Sequence, residues 1–307
     1  MKKILITGVA GFIGSNLAER LLREGIYEVI GIDNLSAGSL KQVPSGLQFH
    51  SLDIRSQEIY PLFKKVDTIF HLAAKNCIHD CQLDPVETVD INVMGTVNIL
   101  EAARRAQVRK VIYAESSALY EGIQLMPTPE TETAPESFYA ASKAAARLLA
   151  ESYKKYSDLS LTALRYFCVY GPRQDYRRTI PPVMSSFILH LLQDKSPVIY
   201  GSGTKKRDFV YIDDINDFHL QAISDPRTDG RVFNLGSGSN YSIQEIFEKI
   251  KNLLSSPLKP TYLPNLPGEA EETLACINEA KSLGWQPKTS LEEGLRLSIQ
   301  FIKEHVL

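Results

Sequence analysis

The chain has 307 residues, 44% of them hydrophobic, and a formal net charge of −2. That length suffices for two domains or one large one, and the balanced charge offers no basic face for nucleic acid. No apolar run reaches the length of a membrane span, the N-terminus enters a strand without a signal-type segment, and the 4 cysteines lack framework spacing, so a cytoplasmic protein with reduced thiols is expected.

Ile4, Leu5 and Ile6 form a short apolar run suited to a parallel strand buried on both faces. Gly8, Gly11 and Gly14 follow at once, then Leu17, Ala18, Leu21 and Leu22 recur at helical spacing, with Gly25 as the stop. A second apolar strand ends on Asp33. This order is the recipe for a dinucleotide site: glycines let the backbone approach a pyrophosphate, and the new helix points unpaired N–H groups at the anion. An acid at the second strand tip binds both ribose hydroxyls and repels a 2′-phosphate, so Asp33 predicts NAD rather than NADP. The glycine spacing is Gly-x-x-Gly-x-x-Gly, not the commoner Gly-x-Gly-x-x-Gly.

Further strands are expected over 47–54, 67–73, 110–114 and 159–167, and long helices over 85–106 and 137–156. Such alternation predicts an α/β fold, a Rossmann-type doubly wound parallel sheet, with ligands outside the carboxyl ends of its strands. Beyond Gly171-Pro172 prolines break the chain into shorter elements. Segments 208–213, with the helix after it, and 231–236 read as returning to the first sheet layer. The expected partition is an NAD-binding domain over 1–171 with 208–237 returning to it, and a smaller, discontinuous α/β substrate-binding domain over 172–207 and 238–307.

Tyr139-Ala-Ala-Ser-Lys143 carries the chemistry. Residues four apart share a helix face, so the Lys143 ammonium can sit beside the Tyr139 hydroxyl. Together with a cationic nicotinamide it favours the phenolate, which a tyrosine titrating at about 10 needs to act as a base near neutral pH. Ser116 and Ser117 follow the fifth strand, where a hydroxyl can hydrogen-bond the reacting oxygen. Cys77, His79 and Cys81 lie within five residues, but no fourth ligand is evident and no metal is expected.

With Gly8-Val-Ala-Gly-Phe-Ile-Gly14, Asp33-Asn-Leu-Ser-Ala-Gly38, Asp53-Ile54, His71-Leu-Ala-Ala74, Asn92, Ser116-Ser117, Tyr139-Ala-Ala-Ser-Lys143, Arg165-Tyr-Phe-Cys-Val-Tyr-Gly-Pro-Arg173, Arg207-Asp-Phe-Val-Tyr-Ile-Asp-Asp214 and Gly268-Glu269, the chain resembles the extended short-chain dehydrogenase/reductases. Within them it is similar to the NAD-dependent epimerase/dehydratase family acting on nucleotide sugars, over nearly its whole length. The resemblance implies that Gly8, Gly11, Phe12, Ile13 and Gly14 bind NAD, with Asp33 and Asn34 on the adenosine ribose. It places Asp53 and Ile54 beside the adenine and Leu72, Ala73 and Ala74 along the phosphates. Tyr139 becomes the base, Lys143 its partner and Ser117 the hydroxyl that orients the sugar.

Sugar 4,6-dehydratases of the family carry Thr-Asp-Glu after the fifth strand, a pair of groups absent from Ser116-Ser117-Ala118. The chain looks most like the UDP-hexose 4-epimerases. The implied reaction is transient oxidation at C4 of a UDP-hexose, hexuronate or N-acetylhexosamine, rotation of the 4-keto sugar and return of hydride. A dehydratase or reductase on this scaffold and a non-catalytic NAD-binding regulator are the alternatives. Arg207 is the candidate diphosphate clamp, a guanidinium fork matched to phosphate. Three positions depart from the family pattern: Cys168 for an asparagine, Leu266 for an arginine, and Glu121 for a glycine. Cys168 remains at the substrate site, with Arg173, Lys205 or Lys206 available to replace the lost phosphate ligands. The helices over 85–106 and 137–156 are expected to pair across a two-fold axis, giving a homodimer.

Overall fold

The computed structural model describes residues 1–178, 180–265, 268 and 270–307. Leu266 and Glu269, both singled out in the sequence, lie outside the described residues. The first half runs β1 (Lys2–Thr7), α1 (Phe12–Glu24), β2 (Tyr27–Asp33), β3 (Gln48–Ser51), β4 (Thr68–His71), α2 (Ile78–Leu83), α3 (Pro85–Val89), α4 (Gly95–Arg105), β5 (Lys110–Ser116), α5 (Phe138–Tyr156) and β6 (Ser160–Tyr166). The second half runs β7 (Cys168–Tyr170), α6 (Val183–Leu192), β8 (Val198–Tyr200), β9 (Lys206–Tyr211), α7 (Ile212–Ser224), β10 (Val232–Leu235), β11 (Asn240–Ser242), α8 (Ile243–Leu253), β12 (Thr261–Leu263), α9 (Asn278–Ser282) and α10 (Leu291–His305).

Seven strands form one parallel sheet in the order β10-β6-β5-β4-β1-β2-β3. The order reverses between β1 and β4, and that crevice is where ligands bind in such sheets. The apolar run in β1 serves both faces because side chains alternate along a strand. Ile4 and Ile6 pack with Leu17, Leu21, Phe218 and Phe233 on the α1–α7 face. Leu5 packs with Ile99, Leu100 and Ala150 on the α4–α5 face.

The return to this sheet is narrower than the sequence suggests. β10 pairs with β6, as expected of 231–236. Segment 208–213 does not join it: β9 lies between β7 and β11 in a separate three-stranded sheet. The reason is the Asp208 carboxylate, which is fully buried and accepts hydrogen bonds from the Ser237, Gly238 and Ala275 backbone N–H groups, tying β9 to the chain beyond β10. A core of Phe187, Ile199, Phe209, Phe247 and Leu295 underlies this smaller layer.

The long helix expected over 85–106 is one helical run with a π turn at Asp90–Met94 between α3 and α4. Asp84 caps its start by accepting the Glu87 N–H at 2.9 Å. α5 begins behind the Ser137 cap, whose hydroxyl oxygen accepts the Ala140 N–H at 3.1 Å.

Candidate active site

The turn from β1 to α1 is built for close approach. Gly8 has φ +75°, and a Cβ there would sit 2.8 Å from the Ala73 nitrogen. A Cβ on Gly14 would collide with the Gly8 carbonyl oxygen. Gly11 is the N-cap of α1, and no side chain caps the helix start. The cradle left by absent side chains, ringed by helix N–H groups, fits a dinucleotide pyrophosphate. Phe12 and Ile13 lie half-buried against the core of the smaller layer, so the first turn of α1 is held between the two sheets.

Across the crevice a buried relay shapes the segment after β4. The Thr7 Oγ1 accepts the Leu72 and Ala73 N–H groups, each at 3.2 Å. Its own proton therefore points to His71 Nδ1 at 2.8 Å, which leaves Nε2–H to donate to Thr96 Oγ1 at 3.0 Å. Burial drives the His71 pKa down to about 3, consistent with a neutral ring. Leu72 and Ala73 thus lie against the glycine turn.

Asp33 sits at the tip of β2, and its carboxylate accepts the Ala10 N–H at 3.0 Å and the Leu35 N–H at 2.8 Å. Burial raises its pKa while those N–H groups lower it. Asn34, expected on the ribose, engages its amide with Asp53 at 2.9 Å and its carbonyl with Ser36. Asp53 is also gripped by Arg55, which holds its pKa far below the ordinary carboxylate range. Ile54 is buried and fills the space facing Gly95 of α4.

Tyr139 and Lys143 project from the first two turns of α5. The Tyr139 ring is buried, and burial pushes its pKa up to about 12. The nearby Ser116 hydroxyl and the charge of Arg178 pull the other way. Lys143 Nζ donates to the Ala114 carbonyl at 3.0 Å, and burial brings its pKa down to about 8. Ser116 is the last residue of β5 and its hydroxyl oxygen accepts the Ala118 N–H at 3.2 Å, while Ser117 opens the 3₁₀ turn beyond it. The π turn adds Asn92, whose amide bonds the Lys75 backbone N–H and carbonyl and the Ser142 hydroxyl of α5, each at 2.9 Å.

The expected phosphate ligands divide. Arg173 is turned onto α1, where its guanidinium meets Glu19 at 2.9 Å, and its backbone has a positive φ of 66°. Arg207 on β9 makes no ion pair with Asp208 or Asp213, and donates to the Lys206 carbonyl at 2.9 Å. Lys205 is 7% exposed and lies 3.8 Å from Glu271. Cys168 opens β7 at the junction of the two sheets. Cys77 caps α2 and Cys81 is buried one turn on, close enough to bear on the Tyr139 and Lys143 charges. Among the described residues no group of three or more His, Cys, Asp or Glu side chains comes together to hold a metal.

Two carboxylates near the site find their partners in the fold. Glu115, 2% exposed, pairs with the buried Arg165 at 2.6 Å and accepts the Tyr113 hydroxyl. Glu121 accepts the Glu136 and Ser137 N–H groups and the Ser137 hydroxyl at 2.7–3.0 Å. The only sequence signal for the first is a charge between an apolar strand and Ser116.

A family model described as the NAD dependent epimerase/dehydratase family matches residues 4–236. The chain is 34% identical over 311 residues to a UDP-glucose 4-epimerase of Mycolicibacterium smegmatis, covering 98% of both chains. Its structure matches a UDP-glucose 4-epimerase with UDP-glucose from Thermotoga maritima with a TM-score of 0.95 at 33% identity, covering 99% of this chain and 100% of the other. A UDP-glucuronic acid 4-epimerase from Bacillus cereus, in complex with UDP-glucuronic acid and NAD, matches with a TM-score of 0.92 at 32% identity, covering 98% and 99%. Glycine cradle, ribose acid and Tyr139–Lys143 pair agree with that likeness, and the chain belongs to the NAD-dependent epimerase/dehydratase family.

Proposed function

We propose that this chain is a UDP-sugar 4-epimerase. The observation that carries the reading is a buried Tyr139 with the buried Lys143 one turn along α5, beside a glycine cradle that fits a dinucleotide. NAD, when bound, supplies the hydride acceptor and donor for the sugar carbon. Gly8, Gly11 and Gly14 hold its phosphates and Asp33 its ribose. Tyr139 takes the proton from the sugar 4-hydroxyl and returns it after the 4-keto sugar has turned over. Ser117 donates a hydrogen bond to the same oxygen, and the Lys143 ammonium stabilises the phenolate. Arg207 is the candidate ligand for the diphosphate.

An elimination of water needs an acid–base pair of its own. The nearby carboxylates are engaged elsewhere, Glu115 with Arg165 and Glu121 with the start of α5, which favours epimerisation over dehydration. The test is a product assay with UDP-, GDP- and dTDP-sugars and no added reductant, read by chromatography and mass. A stereoisomer of unchanged mass is expected from a UDP-sugar. Loss of a water, loss of carbon dioxide, or net NADH formation would each reject the epimerase reading.

The same reading includes a homodimer. Leu83, Val86, Val89 and Met94 on the helical run before β5, and Phe138, Leu148 and Leu149 on α5, are exposed apolar side chains on helices that pack together. Contiguous exposed apolar surface of this kind marks an interaction site, and closed two-fold pairing is the commonest solution. Sedimentation is expected to give twice the chain mass, and Leu148→Glu to halve it. No helix among the described residues is long and apolar enough to cross a membrane.

A further inference from the structure

Residues 117–121 form a short bridge from Ser116 to Glu121, and the catalytic helix starts at Ser137, two residues before Tyr139. Between them runs the 122–136 loop. Its base is closed by backbone bonds, Ala134 N–H to the Leu119 carbonyl at 2.7 Å and Gly122 N–H to the Ala134 carbonyl at 2.9 Å. Above these sits the Glu121 carboxylate. One oxygen accepts the Glu136 N–H at 3.0 Å and the Ser137 N–H at 2.7 Å, and the other accepts the Ser137 hydroxyl at 2.9 Å.

The Ser137 hydroxyl donates to Glu121, so its lone pair is left for the Ala140 N–H, the cap bond of α5. One carboxylate therefore orients the capping hydroxyl and takes two N–H groups at the helix start. Bonds to an ionised acceptor are shorter and stronger than neutral ones, and an anion suits the positive end of a helix. The clamp thus joins the turn that follows Ser116 to the start of the helix that carries Tyr139.

We propose that Glu121 is the positioning residue that sets the Tyr139 phenol at the end of β5, by clamping the start of the catalytic helix to the end of the β5 turn. Glu121 touches no reacting atom; it acts through Ser137 and the first turn of α5. The inference rests on the reading of Tyr139 as the proton-transferring group. It also gives a physical role to a carboxylate at a position where the resemblance leads one to expect glycine.

The experiment measures epimerisation kinetics and retained NAD for the full-length protein and for Glu121→Met, Glu121→Gln, Ser137→Ala and Tyr139→Phe. Methionine keeps the length of the side chain but accepts no N–H group. The expected result for Glu121→Met is a fall in kcat of about tenfold or more, as for a reacting group displaced by a fraction of an ångström, with KM and bound NAD within about twofold. Glutamine retains a carbonyl oxygen that accepts the N–H groups, so Glu121→Gln is expected to recover most of kcat. Ser137→Ala breaks the clamp from its other end and is expected to lower kcat in the same way.

Unchanged kcat in Ser137→Ala or Glu121→Met overturns the positioning role. A parallel loss of kcat, NAD and melting temperature in Glu121→Met, without recovery in Glu121→Gln, overturns it too, since that describes a fold-wide defect. If the unmodified protein turns over no UDP-sugar, or Tyr139→Phe stays active, the epimerase reading fails and takes this role with it. Activity in the unmodified protein, none in Tyr139→Phe and full activity in both clamp variants rejects the positioning role alone.

Discussion

Lys143 reaches from the second turn of α5 to the end of β5, where its ammonium donates to the Ala114 carbonyl at 3.0 Å. Ala114 lies two residues before Ser116, so the anchor of Lys143 sits just before the Ser116–Ser117 pair. The distance from Tyr139 to that pair is thus governed by how α5 docks on β5. Tyr139→Phe removes the proton acceptor and leaves the ring packing. An activity loss of about 10²–10⁴-fold is expected, with substrate and NAD still bound, checked by steady-state kinetics and retained cofactor.

Arg178 lowers the Tyr139 pKa by its charge, while Cys81 and Glu121 raise it. Arg178→Met deletes a cation that favours the phenolate. The acid limb of the kcat–pH profile is expected to move to higher pH, with the plateau reached later than in the unmodified protein. A limb that stays in place, or moves down, would contradict the electrostatic placement of Arg178.

His71 and His219 are both buried, and burial lowers each pKa from 6.5 to about 3. The unfolded chain therefore binds more protons than the folded one between these values, and stability rises with pH across that window. The contribution is complete above about pH 6.5 and is lost as pH falls toward 3. Melting temperatures taken from pH 7.5 to pH 4 are expected to fall steadily below about 6.5. A flat profile would mean that one or both rings are already charged.

The Glu115–Arg165 pair is buried on both sides, at 1% and 0% side-chain exposure. Arg165→Met leaves the buried Glu115 carboxylate with only the Arg147 guanidinium, 4.0 Å away, and frees the Tyr120 hydroxyl and the Glu130 carbonyl from their donor. Breaking such a pair costs about 3–5 kcal/mol. Chemical denaturation is the measurement, and the double variant Arg165→Met with Glu115→Gln is expected to recover part of the loss.

Asp33 is held in place by the Ala10 and Leu35 N–H groups, so its charge stays at the tip of β2. Asp33→Ser is expected to weaken NAD and improve NADP, because it removes both the ribose acceptor and the repulsion of a 2′-phosphate. Thermal shifts with each dinucleotide decide the point. Equal stabilisation by NAD and NADP in the unmodified protein would refute the assignment.

The α/β rhythm, the glycine turn, Asp33 and the Tyr139–Lys143 pair were legible in the sequence by itself. Each is a local pattern: an apolar run, a short glycine spacing, or two residues one helical turn apart. The tertiary structure decided what depends on distant partners. It drew Arg173 onto Glu19 of α1. It moved β9 out of the large sheet because four N–H and O–H donors beyond β10 converge on the buried Asp208 carboxylate. It turned Glu115 and Glu121, two ordinary acids in the chain, into a core ion pair and a helix clamp. Local periodicity specifies which face a side chain takes, and long-range packing specifies which group meets it there.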